Sequence, residues 1–181
     1  MTDSGRSFLA IYLRDHRAGA VAGRRLAQRL AKQNPYPQWA PLRGVAREIQ
    51  ADEATLVDLL EHFGIAEGVL KNMAAAAMET VERLKPNGRP FRYSPLSLVL
   101  ELESLMSGVT AKRRLWVSLE KLNRPTPAGI DFEELDRRAV DQLNTLAALH
   151  DTAARLAFLD DQAHSGDTKR SSVHLRDTGA V

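Results

Sequence analysis

Asp15-His16-Arg17-Ala18-Gly19-Ala20-Val21-Ala22-Gly23 is the stretch around which the 181-residue chain is organised. A titratable pair is followed, after one arginine, by six residues of which five are Ala or Gly. No proline interrupts the surrounding segment, and its apolar residues recur at about 100° per residue, so it reads as an amphipathic helix from Phe8 to about Leu30 with Ser7 as N-cap. On that pitch Phe8, Ile11, Tyr12, Gly19, Ala22, Leu26 and Leu30 share the broad face expected to be buried. Asp15 and His16 flank its centre line. The small residues suggest a close helix crossing at Gly19 and Gly23, with the Asp15-His16 pair as a polar lock above it.

Working outward, the first helix stops before Asn34-Pro35, because a proline disfavours helical geometry in the residue before it. A second helix begins near Gln38 to Pro41, where Pro41 suits a first-turn position, and stops at Phe63-Gly64. Its stripe is Leu42, Val45, Ile49, Leu56, Leu59, Leu60 and Phe63, with Asp52 near the middle and Glu48 on the shoulder; Glu53 points elsewhere. A third helix is expected over about Ala66 to Lys85, ended by Pro86-Asn87-Gly88-Arg89-Pro90. Ser94-Pro95 opens a fourth, running to about Asn123. There Leu98, Leu102, Leu105, Met106, Val109 and Trp116 are apolar, Glu101 and Glu103 lie at opposite edges, and Gly108 suggests a packing constraint. Asp131 caps a fifth, with Glu134 placed for a capping box. Its stripe, Phe132, Leu135, Ala139, Leu143, Leu146, Leu149, Ala153 and Leu156, contains Gln142 and has His150 at one edge. The expectation is an all-α, antiparallel four- or five-helix bundle over residues 1–161, with a polar, disordered tail over 162–181.

Composition narrows the chemistry. With no cysteine, thiolate zinc sites, iron–sulfur clusters, disulfides and cysteine nucleophiles are excluded. The N-terminus lacks an export signal and no run of about 18 apolar residues could span a bilayer, so the expected compartment is cytoplasmic, with no membrane partner. The net charge is +2. Its basic residues are interleaved with acids rather than gathered on one face, so nucleic acid is not an expected partner; only Lys169-Arg170 and Arg176 in the tail point that way. Neither a glycine-rich phosphate loop nor a Gly-x-Ser-x-Gly elbow occurs.

Polar residues on apolar stripes are the informative ones, since a buried charge without a partner is costly. They are Asp15, His16, Glu48, Asp52 and Glu103. Carboxylates and imidazoles facing one another inside a bundle suit iron or manganese, which makes His16, Glu48, Asp52 and Glu103 the candidate metal ligands. The same groups can instead satisfy one another, with Asp52 accepting from His16, Tyr12 or an arginine such as Arg113.

Asp15-His16, Ala18 to Gly23, Glu48, Asp52, Tyr93-Ser94-Pro95-Leu96 and Leu100-Glu101-Leu102-Glu103 together resemble a group of uncharacterised actinobacterial helical proteins, over roughly residues 8–158. That resemblance implies a ferritin-like architecture and no mechanism. The Glu-x-x-His repeat of ferritin-like metal proteins is missing: Glu48 is followed three positions on by Ala51, and Glu103 by Met106. The first expectation is therefore a non-catalytic interaction or small-ligand-binding module, pairing with itself or another protein through an apolar patch near Trp39, Trp116 or the Ala-rich third helix. The second is a ferritin-like iron or manganese protein with an oxidative-stress role.

Overall fold

A computed structural model describes residues 3–34, 36–66, 95–122 and 124–159. They form four long α-helices and one short 3-10 turn, with no strand among the described residues: α1, Asp3–Gln33; α2, Pro41–His62; α3, Pro95–Lys121; and α4, Phe132–Phe158. The expected third helix past Ala66 and the tail over 162–181 lie outside the described residues.

The punctuation sets most of the helix ends. Pro41 occupies the first turn of α2, where its missing N–H costs nothing. Gly64, at φ +66°, turns the chain out of α2. Asp131 caps α4 by accepting from Glu134 N at 3.1 Å. The expected box is half formed, because the Glu134 carboxylate pairs with Arg137. At the other end of the chain α1 starts at Asp3, so Ser7 lies inside the helix and is no cap. An acidic residue in the first turn complements the helix dipole, and nothing between Asp3 and Ser7 breaks the ladder.

Side-chain pairs fix the helix directions. Gln28 meets Gln50 and Arg17 meets Glu53, so α1 and α2 are antiparallel. Arg29 reaches Glu101 while Leu13 packs near Trp116 and Leu119, so α1 and α3 are antiparallel. Arg113 with Asp136 and Glu103 with His150 make α3 and α4 antiparallel. It follows that α2 and α3 run the same way. Ala66, held by Arg14 at 3.1 Å, and Pro95 therefore stand at opposite ends of the bundle.

The core forms two clusters. One centres on Leu30, Leu42, Ile49, Leu102, Leu105 and Leu146, the other on Leu13, Leu59, Leu60, Leu115 and Trp116. The expected stripes of α2 and α4 hold apart from their ends, where Phe63 is half-buried and Leu156 exposed. The stripe of α1 does not. Phe8 and Ile11 are 69% and 52% exposed, and the buried residues are Leu13, Ala18, Val21, Ala27 and Leu30. Ala and Gly carry little hydrophobic weight, so the bulky residues near the helix start dominated the sequence pattern and rotated the inferred face. Trp39 and Trp116 are buried and form no surface patch.

Removing the α4 cap tests this assignment of the helix start. Asp131→Ala is expected to lower stability by about 1 kcal/mol, measured by urea denaturation.

Candidate functional site

Asp52 is 2% exposed at the junction of α2, α3 and α4. One carboxylate oxygen accepts from Lys112 and, at 3.2 Å, from the Gln142 amide; Arg138 Nη2 lies 2.6 Å from the other. The Gln142 amide also donates to Glu48 at 3.1 Å, and its carbonyl accepts from Lys112. Two carboxylates, two cations and an amide thus meet between three helices, with Asp52 Oδ1 facing Arg138 as an ion pair. Burial lowers the Lys112 pKa from its ordinary 10.5, opposed by the attraction of Asp52.

Next along α2, Glu53 is also buried, although its helical position pointed it away from the stripe. Its oxygens take Arg17, at 2.5 Å, and Arg24. These arginines are two turns apart on one side of α1, so Glu53 clamps α1 to α2.

The sequence candidates separate accordingly. Glu48 and Asp52 share Gln142. Glu103 is on the outer edge of α3, 3.0 Å from His150 Nε2. His16 packs edge-on against Tyr12, with ring centroids 4.5 Å apart, and Asp15 is exposed. Asp52 is answered by Lys112, Arg138 and Gln142 rather than by His16, Tyr12 or Arg113; Arg113 pairs with Asp136. His16, Glu48, Asp52 and Glu103 therefore do not share one donor set, and both Asp52 oxygens already face cations. Among the described residues no three His, Asp or Glu side chains gather into a group able to hold a metal. Lys112 was legible in principle, since it continues the buried α3 stripe of Leu105, Val109 and Trp116 at helical spacing.

Beside this network lies a cleft of about 650 Å³ between α1 and α3. Buried Ile49, Asp52, Glu53 and Leu56 of α2 form its bottom. Its middle is thin: Gly19, Ala22 and Gly23 on one side face Gly108 and Ala111 on the other. A Cβ added at Gly19, Gly23 or Gly108 would meet no described residue within 4 Å. Among the described residues, no helix makes the close crossing expected at Gly19 and Gly23, and none makes a tight contact at Gly108. The Arg29–Glu101 pair, at 2.8 Å, stands at one end of the cleft. Tyr12, His16, Lys112 and Trp116 line the other. Trp116 is fully buried, stacks on Phe132 with centroids 6.4 Å apart, and its Nε1–H has no acceptor among the described residues.

Burial in this wall lowers the His16 pKa from 6.5, against the opposing charge of Asp15. The unfolded chain then takes up the proton more readily than the folded one, so stability should fall as pH drops below 6.5. His16→Gln should flatten that slope in denaturation curves taken from pH about 7.5 downward. Asp52→Ala leaves the half-buried Lys112 and Arg138 without the buried anion that they share and should cost about 3 kcal/mol. The double variant Asp52→Leu, Lys112→Met should cost less than the two single changes added together, a difference read in a double-mutant cycle of urea midpoints.

No described helix is long and apolar enough to cross a membrane. Compared with known proteins, the chain matches no family, no curated protein and no solved structure, and what is established is an all-α helical bundle.

Proposed function

We propose that this protein is a non-catalytic small-ligand-binding module whose ligand lies in the cleft between α1 and α3. The observation that carries the reading is the set of helix-interior glycines on the cleft wall, Gly19, Gly23 and Gly108, with no described residue within 4 Å of their missing side chains. Each costs about 1 kcal/mol relative to alanine in a helix interior. Neither a close helix approach nor a positive φ accounts for them. Open space on the cleft wall does, because larger residues would fill it. A volume of about 650 Å³ falls within the range of small-molecule sites, and the lining is mainly apolar with a few polar groups.

The reading keeps a ferritin-like architecture: two antiparallel hairpins with α2 and α3 running the same way suit a bundle with one long crossover. It also keeps the cytoplasmic compartment and the kinship with the actinobacterial helical proteins. The Asp52 network serves as a structural clamp beside the cleft.

Gly23→Leu combined with Gly108→Leu tests the assignment. The variant should melt at or above the parent's temperature, because leucine favours helix and meets open space. It should lose the fluorescence gain of anilinonaphthalene sulfonate that the parent shows. Equal dye binding by parent and variant would remove the cleft as the ligand site.

A further inference from the structure

No Asp or Glu occurs between Asp15 and Glu48, a stretch that runs through most of α1 and into α2 and carries a series of arginines and a lysine. Folding answers some of these cations with acids from elsewhere. Glu53 takes Arg17 and Arg24, and Glu101 takes Arg29. Glu48, which ends the acid-free stretch, accepts from Gln142 of α4. Arg25, Lys32, Arg43 and Arg47 receive no acid, and all four are exposed.

The antiparallel pairing of α1 and α2 brings these four to one surface. The exposed hydrogen bond from Gln28 to Gln50 marks the seam where the two helices meet solvent. On α1, Arg25 and Lys32 stand three and four positions from Gln28, and so on its side of the helix. On α2, Arg43 and Arg47 share the side of Gln50 by the same spacing. Arg25 and Lys32 are about 10 Å apart along their helix, and Arg43 and Arg47 about 6 Å. Like charges one turn apart on a helix repel, so Arg43 and Arg47 weaken α2 unless an anion comes to them. Charges interleaved along the sequence thus become a patch of one sign on the folded hairpin.

Beyond the cleft reading, and independently of it, we propose that the outer side of the α1–α2 hairpin is a sequence-independent docking surface for the phosphate backbone of nucleic acid. Two rows of cations along antiparallel helices track a repeating anion rather than converge on one. Three of the four are arginines, whose forked donors match phosphate oxygens. The amides of Gln28 and Gln50 and the hydroxyl of Tyr36, exposed in the turn, are further phosphate donors. An anionic membrane is a poorer match, because a helix lying on lipid inserts bulky apolar side chains beside its cations. The exposed positions next to this patch on α2 are Ala51 and Ala54.

The test measures anisotropy of a labelled DNA duplex of random sequence with the full chain, over about 50 to 200 mM salt. Affinity should fall with salt at a logarithmic slope of about −3 to −4, as for four phosphate contacts. Arg43→Gln with Arg47→Gln should weaken binding at least about ten-fold at the low-salt end and reduce the slope by about two. Both side chains are exposed, so the melting temperature should not fall. Arg114→Gln with Arg155→Gln removes the same charge from exposed positions off the patch and should change affinity less than about three-fold. Absence of binding, or equal losses in the two double variants, overturns the proposal. So does binding to phosphatidylserine vesicles that the Arg43/Arg47 variant loses, if the duplex does not bind. Anilinonaphthalene sulfonate should bind the parent and the Arg43/Arg47 variant alike, so the cleft stands or falls by its glycine variants alone.

Discussion

The arrangement depends on one buried charge. Taking the Asp52 carboxylate out of water carries a penalty of several kcal/mol, and only well-placed cations and hydrogen bonds offset it. Lys112 from α3 and Arg138 from α4 supply the charge, and Gln142 fills the remaining geometry. Lys112 comes from α3, while Arg138 and Gln142 come from successive turns of α4, so all three helices must hold a set rotation around the carboxylate. Apolar side chains tolerate sliding by a residue, whereas this cluster does not. With Lys112 turned toward Asp52, Gly108, one turn earlier on nearly the same side of α3, is carried to the wall that faces α1. The clamp and the cleft are thus two results of one rotation.

The neighbouring residue performs the same task for α1. Glu53 stands about 100° around α2 from Asp52 and takes two arginines from the first helix. Arg17 and Arg24 are long side chains, and their stems cover apolar surface while their heads converge on the carboxylate. This seat leaves the adjacent side of α1, with Tyr12, Gly19, Ala22, Gly23 and Leu26, turned toward α3 and lightly packed. Adjacent acids on α2 therefore organise opposite walls: one orients α3 and α4, the other holds α1.

Much of this was readable from residues and spacing. Pro41, Gly64 and Asp131 mark helix ends because each acts through local backbone chemistry that needs no knowledge of the rest of the chain. Asp52 declared itself as a charge in the middle of an apolar stripe, and Gln142 did so within the stripe of α4. What stayed hidden depended on neighbours. Glu53 looked like a surface residue because its arginines lie on another helix. Lys112 lies on the apolar stripe of α3, and the acid that answers it comes from another helix. Glycine was the most misleading: Gly19 and Gly23 permit a close crossing or an open wall equally well, and only the distance to α3 decides which. Helical periodicity places Asp52 on its stripe and cannot show that Glu103 and His16 sit away from it.

The pairing of helix directions also bears on how the chain assembles. The heaviest packing is within α1–α2 and α3–α4, hairpins whose contacts are close in sequence apart from their turns. Contacts of that kind close small loops and form early, whereas the Asp52–Lys112 bond joins residues 60 apart. An early hairpin carrying Asp52 without Lys112 and Arg138 keeps that carboxylate in water, where it is comfortable. The two halves then have a reason to stay open until they meet in the correct register, since docking in any other register would strand the charge. The same group that locks the finished bundle thereby acts, during assembly, as a proofreader of how its halves come together.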